Sequence, residues 1–316
     1  MMSYILLLIG FVLLIKGADY FVEGASSIAK KFRIPTLIIG LTIVAFGTSA
    51  PEAAVSITSA LKGQNDIALG NVIGSNIFNF LMVVGIAAVI CPLQVKQSMI
   101  IKEFPFTILS CLVLVILIQD RLFGGSTIDV LNRGDGLMLL LFFCVFMYYL
   151  IEVAITARNE QAEEIAVMSL GKSVLFTLGG IIGIVVGGDL VVDSASDIAL
   201  AWGMSQNLVG LTIVAVGTSL PELVTSIVAA RKGESDIALG NVIGSNLFNV
   251  FFILGISSCI HPIAVHPNII ADSLFLLVVT LVTYLFAVTK KKINKVEGGC
   301  LVAFYIIYMV LIIIRN

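Results

Sequence analysis

The chain has 316 residues, of which 59% are apolar and only 12% are charged, and its net charge is −2. Because soluble domains carry about 25% charged residues, this composition excludes a cytosolic enzyme and a disordered chain, and the mean hydropathy of +1.11 agrees. The isoelectric point near 5.7 leaves no basic surface for nucleic acid. The sequence therefore predicts an integral membrane protein.

Charge-poor stretches predict ten transmembrane helices. In chain order they cover residues 3–29, 36–60, 67–91, 103–119, 136–157, 173–199, 206–230, 237–260, 268–289 and 297–314. The first and the sixth are longer than a bilayer requires, so we expect them to be tilted. The N-terminal segment lacks a positively charged start and a small-residue cleavage motif, which favours a retained first helix over a signal peptide.

The distribution of Lys and Arg predicts the orientation of the chain. When the loops are assigned alternately to the two sides, one side receives 13 of these residues and the other receives four. The positive-inside rule places the thirteen in the cytoplasm and both termini outside. We therefore expect a multi-pass protein of the plasma membrane.

The five cysteines lie far apart, and no Cys-x-x-Cys or Cys/His spacing is present. This pattern argues against a zinc site and against a disulfide framework. We expect no cofactor and no obligatory protein partner, with the lipid bilayer as the surrounding medium.

The two halves of the chain are similar in sequence. Residues 17–93 align with residues 187–263 without a gap at a constant offset of 170, and 40 of the 77 aligned positions are identical. The repeat divides the chain into a five-helix unit over 1–157, a short cytoplasmic linker over 158–172 and a second five-helix unit over 173–316. Because five is odd, the second unit enters the membrane from the opposite side. The predicted fold is all-α, with two inverted repeats, which is typical of transporters that bind substrate near the midplane.

Glu52 and Glu222 lie near the middles of otherwise uncharged predicted spans, at equivalent positions of the repeat. A carboxylate at this depth costs several kcal/mol unless it faces water, a cation or a partner. We therefore interpret both glutamates as functional.

Polar residues surround each glutamate at helical spacing. Thr48 lies four residues before Glu52 on the same helix face, and Asn71, Ser75 and Asn79 step by four along the next span. The second copy supplies Thr218, Ser219, Asn241, Ser245 and Asn249. Because every candidate ligand is an oxygen donor, the pattern favours a hard cation such as Ca²⁺ over zinc or copper.

Pro51 and Pro221 predict a break in each glutamate-bearing span. A proline has no N–H, so the carbonyl four residues earlier, on Gly47 or Gly217, loses its helical partner. An exposed carbonyl at this depth is tolerated only where it lines a cavity or meets an ion. We expect a broken helix lined with oxygen beside each glutamate.

Charge counting favours exchange over uniport. Two ionised glutamates neutralise the charge of one Ca²⁺. Individual Na⁺ ions could occupy the same oxygens, so the binding of Ca²⁺ and the binding of Na⁺ would exclude each other. A site with two bare carboxylates is costly to carry across a bilayer unloaded.

These motifs resemble those of the cation/calcium antiporter superfamily, specifically the prokaryotic sodium/calcium exchangers. The resemblance rests on GTSAPE at 47–52, GTSLPE at 217–222, GNVIGSNIFN at 70–79 and GNVIGSNLFN at 240–249, and it covers both halves. It implies Na⁺-driven Ca²⁺ movement by alternating access, with the long first and sixth helices sliding across the core. The resemblance therefore implies that the protein is a transporter and not an enzyme.

The resemblance also implies which residues bind the ions. Glu52 and Glu222 would be the central ligands for both Ca²⁺ and Na⁺, with Ala45 and Ala215 lending backbone carbonyls. The remaining implied ligands are Thr48, Ser49, Ser75, Asn79, Thr218, Ser219, Ser245 and Asn249. Potassium-dependent relatives carry Asp at the position of Asn249, so Asn argues against K⁺ co-transport. The central loop is too short for a regulatory domain.

Other functions stay open at this point. An antiporter that exchanges H⁺ for Ca²⁺ or another divalent cation could use the same scaffold, since the two glutamates could cycle protons. A passive channel is a further alternative. An intramembrane hydrolase would need a general base, usually His, or an HExxH motif within a span, and neither is present.

Overall fold

Helices make up most of the computed structural model, which describes residues 2–63, 65–125, 127–160, 168–203 and 215–315. The α-helices are α1 Met2–Phe32, α2 Thr36–Ile39, α3 Ala45–Thr48, α4 Ala50–Leu61, α5 Asn65–Phe78, α6 Val84–Ile90, α7 Phe104–Leu117, α8 Asp120–Phe123, α9 Arg133–Glu160, α10 Leu170–Ala201, α11 Ala215–Gly217, α12 Leu220–Arg231, α13 Ser235–Leu247, α14 Leu254–Ile260, α15 Pro267–Lys290 and α16 Lys295–Arg315. Four π-helical segments join some of them: π1 Gly40–Val44, π2 Asn79–Val83, π3 Met99–Glu103 and π4 Phe248–Ile253.

The described residues contain eight helices that are long and apolar enough to cross a membrane. Thr36–Thr48 and Ala50–Leu61 form a ninth candidate if they are counted as one span, bent by 51°. The predicted seventh span begins in residues 206–214, which lie outside the described residues, and its second half is α12. The predicted linker is shorter than 158–172 at both ends, because α9 continues to Glu160 and α10 begins at Leu170; residues 161–167 are also outside the described part.

Helices α1 and α10 are the longest elements, with 31 and 32 residues. At 1.5 Å per residue each is about 45 Å long, well beyond the hydrocarbon thickness of about 30 Å, as the sequence predicted. They pack closely against each other because glycines remove the side chains between them. A Cβ on Gly187 would lie 2.5 Å from the backbone nitrogen of Leu14, and one on Gly180 would lie 2.6 Å from that of Phe21.

The most deeply buried spans are Ile67–Ile90 and Ser235–Ile260, which form the centre of the molecule. Each consists of an α-helix, a π-helical segment and a second α-helix, and their elements correspond at the repeat offset. Gly244 allows one central span to approach π1, since a Cβ there would lie 2.6 Å from the carbonyl oxygen of Leu41. Asn76 and Asn246, one on each central span, are both 1% exposed.

Two short antiparallel ribbons connect the helix ends. β1 (Leu93–Gln94) pairs with β4 (Lys292–Ile293), and β2 (Val130–Leu131) pairs with β3 (Ile263–Ala264). The all-α prediction holds for the spans, and these two-residue strands are the regular β-structure of the described loops.

Candidate cation site

Both glutamate-bearing spans are broken where the sequence predicted a break. Ser49 separates α3 from α4 with φ −83° and ψ 9°, and Ser219 precedes α12 with φ −93° and ψ 6°. A proline follows in the first turn of each new helix, where its missing N–H costs no hydrogen bond. Glu52 and Glu222 lie in these first turns, where the positive end of the helix dipole stabilises a carboxylate.

The two breaks face each other and exchange hydrogen bonds. Ser49 Oγ donates to Glu222 Oε1 at 2.8 Å, and Ser219 Oγ donates to Glu52 Oε1 at 3.0 Å. Each serine thus holds the carboxylate of the other half of the chain. Glu52 and Glu222 are 1% and 0% exposed.

Further hydroxyl and amide groups orient the residues around the breaks. Thr48 Oγ1 donates to Asn241 Oδ1 at 3.0 Å, which ties α3 to α13. Ser245 Oγ lies 3.4 Å from both Glu222 Oε1 and the carbonyl oxygen of Ala45. These contacts bring residues from both halves to one location.

Two equivalent asparagines support the helices behind the glutamates. Asn71 Nδ2 donates to Ser56 Oγ at 3.0 Å and to the backbone carbonyl of Glu52 at 3.4 Å. Asn241 repeats both bonds with Ser226 and Glu222, at the same distances. The backbone carbonyl of each glutamate is therefore held by the neighbouring span.

Four buried asparagines form a reciprocal network between the central spans. The side-chain amides of Asn76 and Asn246 each donate to the other's backbone carbonyl, at 3.2 and 3.3 Å. Asn79 Nδ2 donates to Asn246 Oδ1 at 2.9 Å, and Asn249 Nδ2 donates to Asn76 Oδ1 at 3.0 Å. The N–H donors of Asn79 and Asn249 are thereby used inside the network, which leaves each Oδ1 as an acceptor.

Six buried side-chain oxygens of this region have no hydrogen-bond partner. They are Glu52 Oε2, Glu222 Oε2, Ser75 Oγ, Asn79 Oδ1, Thr218 Oγ1 and Asn249 Oδ1. A buried acceptor without a partner costs about 1–3 kcal/mol, and more when it is charged. Two of the six belong to carboxylates and four to hydroxyl or amide groups, which are the oxygen donors that a hard cation prefers.

Protein cations do not neutralise these carboxylates. In the part of the chain that the structure describes, no Lys or Arg forms an ion pair with Glu52 or Glu222. The described residues also contain no group of three or more His, Cys, Asp or Glu that could hold a metal ion. A cation here would be held by two carboxylates together with hydroxyl, amide and carbonyl oxygens.

Eleven of the twelve sequence-predicted site residues have described side chains, while the side chain of Ala215, at the start of α11, lies outside the described residues. Hydrogen bonds connect Ala45, Ser49, Glu222 and Ser245 and also pair Glu52 with Ser219, and Thr48 bonds to Ala45 and Asn241. Asn79 and Asn249 belong to the asparagine network, and the hydroxyls of Ser75 and Thr218 are buried without a partner. Sequence reasoning missed Asn76 and Asn246, which immediately follow Ser75 and Ser245 in the repeated GNVIGSN motif. Their identity in both copies was the available signal.

Comparison with known proteins identifies the family of the chain. The family model described as sodium/calcium exchanger protein matches residues 2–152 and 172–314. The chain belongs to this family. Its members are exchangers, so the chain is a multi-pass membrane transporter and a cation/Ca²⁺ antiporter.

Individual members of the family are similar along their full length. The chain is 38% identical over 323 residues to the putative antiporter CaxA of Alkalimonas amylolytica, covering 99% of both proteins. It is 32% identical over 345 residues to the sodium/calcium exchanger MaX1 of Methanosarcina acetivorans, covering 98% of both. The structure resembles that of the sodium-calcium exchanger NCX_Mj with a TM-score of 0.82 and 33% identity over 98% of each chain.

Proposed function

We propose that the chain exchanges Ca²⁺ for Na⁺ across the plasma membrane by alternating access, and that both ions bind between Glu52 and Glu222. The observation that carries the proposal is the set of six buried oxygens without hydrogen-bond partners. These six oxygens lie on six residues of the two glutamate-bearing spans and the two central spans, and a bound cation would satisfy acceptors that the protein leaves open there.

The chemistry of the donors suits Ca²⁺. This ion takes six to eight oxygen ligands, including carboxylates, amide oxygens and carbonyls. Two ionised glutamates balance its charge. The asparagine network engages the Nδ2 donors of Asn79 and Asn249, which leaves their Oδ1 atoms as acceptors. Asn76 and Asn246 act as positioning residues, because they fix these amides without offering an open oxygen of their own.

Mutual exclusion couples the two ions. Na⁺ is also coordinated by oxygen ligands. Several Na⁺ ions would therefore bind to the same oxygens that coordinate one Ca²⁺. The empty site would hold two buried carboxylates without a counter-ion, and this state is costly to move through the membrane. Exchange is therefore favoured over transport of either ion alone.

The proposed architecture is ten spans arranged as two inverted five-helix repeats, over 1–157 and 173–316, with both termini outside. The reciprocal bonds between Ser49 and Glu222 and between Ser219 and Glu52 support it, because they relate the halves by the sequence offset. The Lys and Arg bias of the loops supports the orientation.

Proton coupling is the second candidate, because Glu52 and Glu222 could carry protons. A proton requires only the acids, whereas Na⁺ also binds neutral oxygens such as those that Ser75, Asn79 and Asn249 leave open. The donor set therefore favours Na⁺.

The two candidates differ in which gradient drives uptake. In proteoliposomes loaded with Na⁺ and diluted into Na⁺-free buffer, we expect rapid accumulation of radioactive Ca²⁺. An imposed pH gradient of equal size without Na⁺ should drive little uptake, since the proposal couples Ca²⁺ movement to Na⁺ and not to protons. Uptake that follows the pH gradient and ignores Na⁺ would replace the sodium proposal with the proton one.

A further inference from the structure

An ion pair joins the long helix α1 to the end of α12. Lys232, which follows the last residue of α12, lies with its Nζ 2.6 Å from Asp19 Oδ1 and 4.0 Å from Glu23 Oε2. The same Nζ also donates to the backbone carbonyl of Asp19 at 2.9 Å. Neither carboxylate contributes to the cation site, so this contact has a different role.

The repeat encodes the same three charges a second time. At the offset of 170, Lys62 corresponds to Lys232, Asp189 to Asp19 and Asp193 to Glu23. Within the described residues, however, the structure records no ion pair between Lys62 and either aspartate, and all three are exposed. One of the two equivalent groups of charges therefore forms an ion pair and the other does not.

Helix packing shows the same asymmetry. α1 packs along α12, whereas its repeat equivalent, the pair α10 and α4, makes hardly any contact. α1 and α10 themselves remain a symmetric unit: Ser27 Oγ lies 2.8 Å from Ser173 Oγ, and the equivalent positions, Asp197 and Ser3, are joined by a 3.5 Å hydrogen bond. The asymmetry thus lies between the α1–α10 pair and the rest of the molecule.

We propose that Lys232 and Lys62 are alternating latches for the two access states, an inference that rests on the proposed function. In the state described, Lys232 holds α1 against α12 and closes the side that the positive-inside rule assigns to the cytoplasm. When the α1–α10 pair shifts as one body, Lys232 releases Asp19 and Glu23. Lys62 then binds Asp189 and Asp193, which closes the outer side.

Charge reversal of each lysine tests the latches, and the variants at Lys232 and Lys62 serve as controls for each other because opposite shifts are expected. An exposed ion pair contributes little by itself, but charge reversal adds repulsion from two carboxylates, so each variant should shift the ratio of the access states about three- to tenfold. The ratio of the apparent Ca²⁺ affinities on the two faces changes in proportion to that ratio. It is measured from Ca²⁺/Ca²⁺ self-exchange of radioactive Ca²⁺ in right-side-out and inverted vesicles.

Lys232→Glu is expected to weaken the outer apparent affinity relative to the cytoplasmic one, and Lys62→Glu is expected to do the opposite. Combining Lys232→Glu with Asp19→Lys should restore the original ratio, which a general folding defect would not permit. Shifts in the same direction, no shift, or failure of the charge swap to restore the ratio would overturn the latch. Because self-exchange needs no counter-ion, a wrong choice of Na⁺ would leave this test intact, while absent Ca²⁺ flux in the unmodified protein would contradict the proposed function instead.

Discussion

Glu52→Gln and Glu222→Gln are each expected to abolish Ca²⁺ exchange while leaving the protein folded. The substitution preserves volume, and the amide oxygen can still accept the hydrogen bond from Ser219 or Ser49. It removes one of the two negative charges that face the ion in a fully buried site. Loss of one partner of a buried charge pair costs about 3–5 kcal/mol, so Na⁺-driven Ca²⁺ uptake should fall on the order of 100-fold or more.

The matched control is Glu103→Gln. Glu103 is also a buried glutamate of a predicted span, 1% exposed, but it accepts a hydrogen bond from the Tyr149 hydroxyl and has no bond to the cation site. Uptake by this variant should stay within about twofold of the unmodified protein, because the Gln amide oxygen can still accept the hydrogen bond from the Tyr149 hydroxyl and no proposed ion ligand is changed. Near-normal Ca²⁺ uptake by both Glu52→Gln and Glu222→Gln would refute the ligand assignment.

Asn249→Asp is expected to make Ca²⁺ transport depend on pH. Asn249 Nδ2 donates to Asn76 Oδ1, and an ionised aspartate would place two oxygens against each other there. A protonated aspartate can donate as the amide does, so uptake relative to the unmodified protein should be near normal at acidic pH and fall about tenfold as the new carboxyl ionises, since each factor of ten corresponds to about 1.4 kcal/mol.

Asn249→Ser separates the charge from the loss of the amide. It removes the donor and the Oδ1 ligand without adding a charge, so its uptake should be reduced by a similar factor at every pH. The measurement is initial Na⁺-driven Ca²⁺ uptake across a pH series, normalised to the unmodified protein. A pH-independent ratio for Asn249→Asp would contradict the proposed role of the hydrogen bond from Asn249 to Asn76.

Residues that act within one helix turn were predictable from the sequence. Pro51 and Pro221 predicted the broken spans because the missing N–H acts locally, and the structure places the breaks at the preceding serines. The glutamates were predictable because a charge in an apolar span is costly wherever the span lies. The lengths of α1 and α10 followed from the extent of the apolar runs.

Features that depend on contacts between distant segments were not predictable in the same way. The exchange of amides between Asn76 and Asn246 requires the relative rotation of two spans 170 residues apart. The π-helical segments that contain Asn79 and Asn249 leave no periodic signal in an apolar run. π-Helical insertions are frequent at functional sites, and here they set the direction of two candidate ligands.

Sequence symmetry also concealed a difference between the halves. The alignment treats Lys62 and Lys232 as equivalent, yet only Lys232 has its ion pair in the described part of the chain. Glu103 shows the converse: it looks like a charge at the edge of a span but is buried against Tyr149. Which conformation a pseudo-symmetric chain adopts depends on the balance between two nearly equal packings, and no single residue encodes it.

Equilibrium binding of radioactive Ca²⁺ to the purified protein at increasing Na⁺ concentration is the most direct test of one shared site. If Ca²⁺ and Na⁺ occupy the same oxygens between Glu52 and Glu222, Na⁺ should raise the apparent Kd for Ca²⁺ without changing the number of Ca²⁺ ions bound at saturation. A control titration with K⁺ at equal ionic strength should leave the apparent Kd unchanged. A Kd for Ca²⁺ that does not respond to Na⁺, or one that K⁺ raises equally, would contradict the shared site.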